Sequence, residues 1–181
     1  MNSFFLCIAF NFLIVKNQVY LNEDSLNTLC KNSEYLIQES SKHNIDPFVV
    51  VALIYNESGW RKKISNSAGA CGLTQVLHKY LKGVSCKALY DPKLSIHHGI
   101  RILSIYKKHL KSKKNNKNIK NVLQCYASGY KCKCKRCKAY AYRIMRLAKS
   151  LKQQYRIIEK VYNEQDTRRP VRNKRRLATS L

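Results

Sequence analysis

Glu57 closes the stretch Asp46-Pro47-Phe48-Val49-Val50-Val51-Ala52-Leu53-Ile54-Tyr55-Asn56-Glu57-Ser58-Gly59 and is the carboxylate in this sequence best placed for acid chemistry. Asp46 fits an N-cap, Pro47 the first helical position and Gly59 the left-handed residue that ends a helix. The β-branched run also suits a buried strand, but its start, stop and length favour a helix. Apolar on every side, that helix belongs in the core. Glu57 follows Leu53 and Ile54 by one turn, where the chain leaves the core. Apolar surroundings and the partial negative charge of a helix C-terminus both disfavour the carboxylate, so its pKa should rise. A carboxyl kept protonated near neutral pH can donate to a glycosidic oxygen. The bland alternative is a surface Glu paired with Arg61 or Lys62.

A second group with chemical potential is Cys132-x-Cys134-x-x-Cys137, set among Lys133, Lys135 and Arg136. Three such cysteines could ligate zinc with Cys125 or a His as fourth ligand, in a basic nucleic-acid-binding module. The spacing lacks the paired CxxC signature, and in an exported chain a disulfide-pinned basic loop is the better reading. Cys71 and Cys125 leave room for a further disulfide near the candidate acid.

Helices must position these groups. Leu26, Leu29, Leu36 and Ile37 are spaced for an amphipathic helix from Asp24 to about His43, with Asp24 or Ser25 as cap. A Gly-, Ser- and Asn-rich loop runs from Ile64 to Gly72. Asp91-Pro92 repeats the capping logic ahead of a helix marked by Ile96, Ile100, Leu103 and Leu110. Lys111 to Lys120 reads as a solvated connector, and Ile119 to Ala127 as a short helix ending near Gly129. From Cys137 onward, Tyr140, Ile144, Leu147, Leu151, Tyr155 and Ile158 mark a long amphipathic helix. No strand-rich region and no internal repeat is evident, so the fold class is mostly α.

Several ordered blocks carry a resemblance: Glu57-Ser58-Gly59-Trp60, then Gly69-Ala70-Cys71-Gly72-Leu73-Thr74-Gln75-Val76, then Leu89-Tyr90-Asp91-Pro92 with Ile96 and Gly99, then Tyr126-Ala127-Ser128-Gly129 and Tyr140. From about Ile45 to Leu151 the chain resembles lytic transglycosylases of the soluble-transglycosylase (SLT) type, whose fold is lysozyme-like and related to goose-type lysozyme. The resemblance implies Glu57 as a single acid/base that cleaves the β-1,4 bond between N-acetylmuramic acid and N-acetylglucosamine. The muramic acetamido group assists, and the C6 hydroxyl attacks C1 to leave a 1,6-anhydro end. It further implies substrate-side roles for Ser58, Asn66, Gly72, Gln75, Tyr126 and Tyr140. Gly69 and Gly72 would let the backbone turn tightly and approach a sugar. Gln75 would supply an amide that donates and accepts, while the tyrosines would pack on pyranose faces and fix the carboxyl. Core packing for Tyr126 and Tyr140, and a turn-holding role for Gln75, stand beside those roles. The sequence departs from the family's pattern at Asn66, where Ser is common, and at Ala127, where Asn is common. A lysozyme-type hydrolase on the same fold is the nearest alternative, but Asp46 and Asp91 are explained as caps, which leaves few candidates for a second carboxylate.

The 181 residues suit one domain with flexible ends: 1–20 as a signal peptide or N-terminal anchor, 21–160 as the catalytic domain and 161–181 as a basic disordered tail. The apolar run Phe4 to Val15 has signal-peptide length but lacks a preceding Lys or Arg and a small-x-small cleavage site, so a buried N-terminal segment also fits. Eight cysteines favour disulfides in a periplasmic or secreted protein. A net charge of +25 draws the chain to polyanions. Peptide-stem carboxylates and other anionic cell-wall polymers qualify as well as nucleic acid, and the motif set selects peptidoglycan. A monomer serving wall remodelling, a secretion apparatus or a phage particle is compatible with this, and neither metal nor cofactor is expected.

Overall fold

The computed structural model describes residues 1–16, 21–112, 118–131 and 134–167. Its helices are α1 (Ser3–Lys16), α2 (Glu23–Lys42), α3 (Pro47–Ser58), α4 (Pro92–Ser112), α5 (Ile119–Ser128) and α6 (Lys135–Thr167). One small antiparallel hairpin, β1 (Ala70–Cys71) with β2 (Val76–Leu77), lies between α3 and α4. The sequence gives no sign of it, because two residues per strand are too few for an alternating pattern.

α3 begins and ends on the signals its sequence carries. The Asp46 carboxylate accepts from Phe48 N at 3.0 Å, and Gly59 turns the chain left-handed at φ 58°. Every residue from Phe48 to Ile54 is buried, with α3 packed against α2 and α6. α4 starts as its sequence implies, Asp91 accepting from Leu94 N at 2.8 Å. The start of α2 needs correction, since its cap is Asn22, whose side chain accepts from Ser25 N at 2.9 Å; Glu23 and Asp24 fall in the first turn. There they face the positive end of the helix, a favourable place for acids but not the extended position a cap requires.

α6 continues to Thr167, beyond both the domain boundary at 160 and the start of the tail at Asn163. The remaining tail and the centre of the Lys/Asn connector lie outside the described residues. At the other end, α1 packs against α2 and α6 and buries Phe5, Leu6, Ala9, Phe10 and Leu13. Cys7 is disulfide-bonded to Cys30 of α2. Among the described residues no helix is long and apolar enough to cross a membrane.

Burial of each of Phe5, Leu6, Phe10 and Leu13 contributes roughly 1.5–3 kcal/mol, which is a sizeable term beside a small domain's typical stability of about 5–15 kcal/mol. A chain beginning at Leu21, with Cys30→Ser, should melt at least roughly 10 °C below the full chain by circular dichroism. An unchanged midpoint would mean that the domain does not need α1.

Candidate active site

The last turn of α3 carries Glu57 out of the core, and α6 crosses α3 so that the Tyr140 hydroxyl donates to Glu57 Oε1. Glu57 lines a cavity of about 540 Å³ together with Asn22, Ser25, Asn56 and Arg61. Burial lifts its pKa above the ordinary 4.5, and the Tyr140 hydrogen bond pulls partly the other way. Neither basic neighbour pairs with it. Arg61 Nε donates to Ser58 O at 2.8 Å, and Lys62 pairs with Asp24 at 3.0 Å.

The tyrosines stay neutral donors. Burial first, and then the nearby Glu57, pushes both Tyr126 and Tyr140 well above 10.0. Tyr126 donates to Thr74 O at 2.7 Å, which fixes the ring beside the acid and ties α5 to the segment after β1. That segment is held from every side. The buried Ser58 hydroxyl lies within hydrogen-bond reach of Leu73 O (2.8 Å) and Ile54 O (3.1 Å), which locks the hairpin to the end of α3. Thr74 N and Oγ1 bond to Ser95 of α4 at 3.1 and 2.8 Å.

A Cβ at Gly72 would meet Leu89 O at 2.0 Å, and one at Gly99 would meet Thr74 Cγ2 at 2.5 Å. The close approach that Gly72 permits is therefore to the protein's own backbone. Gln75 spends its amide nitrogen on the carbonyls of Gly72 (2.9 Å) and Ile64 (3.2 Å), the turn-holding role named as its alternative. Asn66, exposed ahead of the hairpin, accepts from Ala68 N at 3.0 Å and Ala70 N at 3.1 Å.

A family model described as the transglycosylase SLT domain matches residues 34–146. This chain belongs to that family. The match starts within α2, takes in Glu57, the hairpin, Tyr126 and Tyr140, and ends inside α6. The SLT domain is a mostly helical, lysozyme-like fold, as the sequence implies, and its family of enzymes cleaves the glycan of the cell wall.

Four residues given no role by sequence reasoning, two of them within the quoted blocks, help to build the candidate site. Ser95 and Thr74 form the brace described above, Trp60 is fully buried in the core three residues after Glu57 at φ 62°, and Cys86 is disulfide-bonded to Cys71 of β1. The two glycines that press on Thr74 and Leu89 were the available signal for the brace. Cys134 and Cys137 are joined by a disulfide and Cys125 is disulfide-bonded too, so these residues offer no thiolates to a metal; Cys132 lies outside the described residues. That removes the main support for a zinc-based nucleic-acid module.

Tyr140→Phe removes a bond that favours the carboxylate, so the Glu57 pKa should rise further. A carboxyl that serves as a general acid must be protonated to act, so activity that depends on it is lost as pH rises through its pKa. The alkaline limb of the kcat profile should therefore move to higher pH in this variant, with the maximum rate reduced. An unmoved limb would make Tyr140 a packing residue only.

Proposed function

We propose that this chain is a peptidoglycan lytic transglycosylase in which Glu57 serves first as acid and then as base. The neutral Glu57 protonates the oxygen leaving C1 of N-acetylmuramic acid, while the substrate's acetamido oxygen closes on C1. The resulting carboxylate takes the proton from the C6 hydroxyl as O6 attacks C1 and the acetamido group departs. The bond from C1 to the glucosamine oxygen is replaced by C1–O6, the proton ends on the released sugar, and no water is consumed.

The observation that carries this reading is a carboxyl raised by burial, met by a tyrosine hydroxyl and influenced by no other carboxylate among the described residues. A retaining hydrolase places its two carboxyls about 5–5.5 Å apart, and the alternatives here are occupied elsewhere. Asp46 caps α3 and pairs with Lys152 at 3.1 Å, while Asp91 caps α4. Glu39 is buried, which works against its charge, yet bonds from Lys42 (3.0 Å) and His97 (2.7 Å) outweigh burial and hold its pKa low.

In this mechanism Tyr140 sets the acid, and Tyr126 keeps the hairpin beside it. Ser58 and Gly72 position the backbone, any Gln75 contact with sugar falls to its oxygen, and Asn66 shapes the rim. The chain acts as an exported monomer, and the packing of α1 supports the apolar run staying with the domain. Purified peptidoglycan sacculi incubated with the protein should lose turbidity and release soluble muropeptides. Intact sacculi after incubation with folded protein would contradict the reading.

A further inference from the structure

A groove of about 600 Å³ opens where the starts of α3 and α5 meet the middle of α6, and it shares no lining residue with the cavity that holds Glu57. Val49 lines it, and Glu57 lies further along α3 by about 12 Å at 1.5 Å per residue, so the groove is separate from the acid.

Four cations border it: Lys120 from α5, and Arg146, Lys149 and Lys152 from α6. On α6 they recur every third residue, a rise of about 4.5 Å per step along the helix. Lys152 is paired with Asp46 at 3.1 Å. Lys120, Arg146 and Lys149 are exposed, and no acid among the described residues pairs with any of them. Unpaired like charges around one concavity repel one another and concentrate anions there. Between them the lining is apolar, with Val49, Met145 and Ala148, and Tyr142 contributes a ring that is 63 % exposed.

We infer that this groove is a second binding site, taking a linear phosphodiester polymer of the cell envelope. Each phosphodiester carries one negative charge, and the Arg146 fork suits its paired oxygens. Successive phosphates engage Arg146, Lys149 and Lys120 while a thin polyol linker crosses the apolar lining. A single small anion would leave part of this row of cations unused. Nucleic acid offers the same phosphates, but its bases gain affinity by stacking on successive aromatic faces, and Tyr142 is the one ring lining the groove. The choice of an envelope polymer rests on the proposed peptidoglycan function, which places the protein beside such polymers. Bound there, the enzyme stays at high local concentration on the wall between cleavages.

Fluorescence anisotropy of the full chain with labelled poly(glycerol phosphate), at about 0.15 M salt to screen diffuse attraction, tests the site. Lys120→Glu with Lys149→Glu should weaken binding at least about tenfold, whereas Lys82→Glu with Lys87→Glu, an equal charge change at exposed positions between β2 and α4, should alter it by less than about twofold. Circular dichroism checks each fold, and Lys120→Gln with Lys149→Gln, expected to cause a smaller loss of the same sign, decides the matter if the reversed pair unfolds. Equal weakening by the two reversed pairs would overturn the site and leave only the general attraction of a +25 chain. A single-stranded oligonucleotide of equal charge that binds more tightly through Lys120 and Lys149 would overturn the envelope polymer as ligand. Sacculi stripped of phosphodiester polymer should be cleaved equally by the full chain and the groove variants. Failure of the groove therefore leaves the Glu57 reading standing, and absence of cleavage by the unaltered chain counts against that reading alone.

Discussion

Glu57→Gln should abolish nearly all release of muropeptides while leaving the fold intact. Glutamine keeps the shape and can still accept from Tyr140, but it has no proton to transfer to a departing sugar oxygen. General acid–base catalysis contributes roughly a hundred- to ten-thousandfold, or about 2.7–5.4 kcal/mol of barrier. Here one group has to serve both halves of the reaction, so the loss should lie at the upper end. Stability should change little or rise slightly, because the variant removes a carboxyl that burial already disfavours in its charged form. The measurement is initial rate on sacculi, with circular dichroism to confirm the fold. A folded variant working at near-normal rate would place the acid elsewhere.

The parts of the fold that were legible in the sequence are those where one local signal suffices. Asp46-Pro47 and Gly59 bracket α3, and Asp91-Pro92 opens α4, because capping and the left-handed stop are chemistry of single residues. Asn22 was missed as the cap of α2 because two acids and a serine follow it, and any of them fits the pattern. The hairpin was illegible for want of length. α1 presented an apolar run that reads equally as signal or as core, and its packing against α2 and α6 depends on contacts across the whole chain.

The site divides in the same way. Glu57 could be singled out locally, since a lone carboxyl at the end of an apolar helix is already a conflict. The Tyr140 bond crosses 83 positions of sequence, and the brace from Thr74 to Ser95 crosses 21, so neither follows from spacing. Gly72 answers a packing demand as well as any approach to sugar. Its missing side chain is needed where the hairpin touches Leu89, a packing demand that the resemblance to a sugar-binding family does not convey.

The product of cleavage tests the central claim most directly. On the proposed reading no second carboxylate among the described residues acts on Glu57, and the C6 hydroxyl captures C1 with an intramolecular, entropic advantage that water lacks. Sacculi digested in water enriched in oxygen-18, stopped within the first turnovers and analysed by mass spectrometry, distinguish the two. New muramic ends should be lighter by one water than hydrolysed ends and should carry no label, as expected of 1,6-anhydro products. Reducing ends bearing oxygen-18 would contradict this. They would make the enzyme a lysozyme-type hydrolase, with Asp46, Asp91 or Glu39 to be reconsidered as the group that activates water.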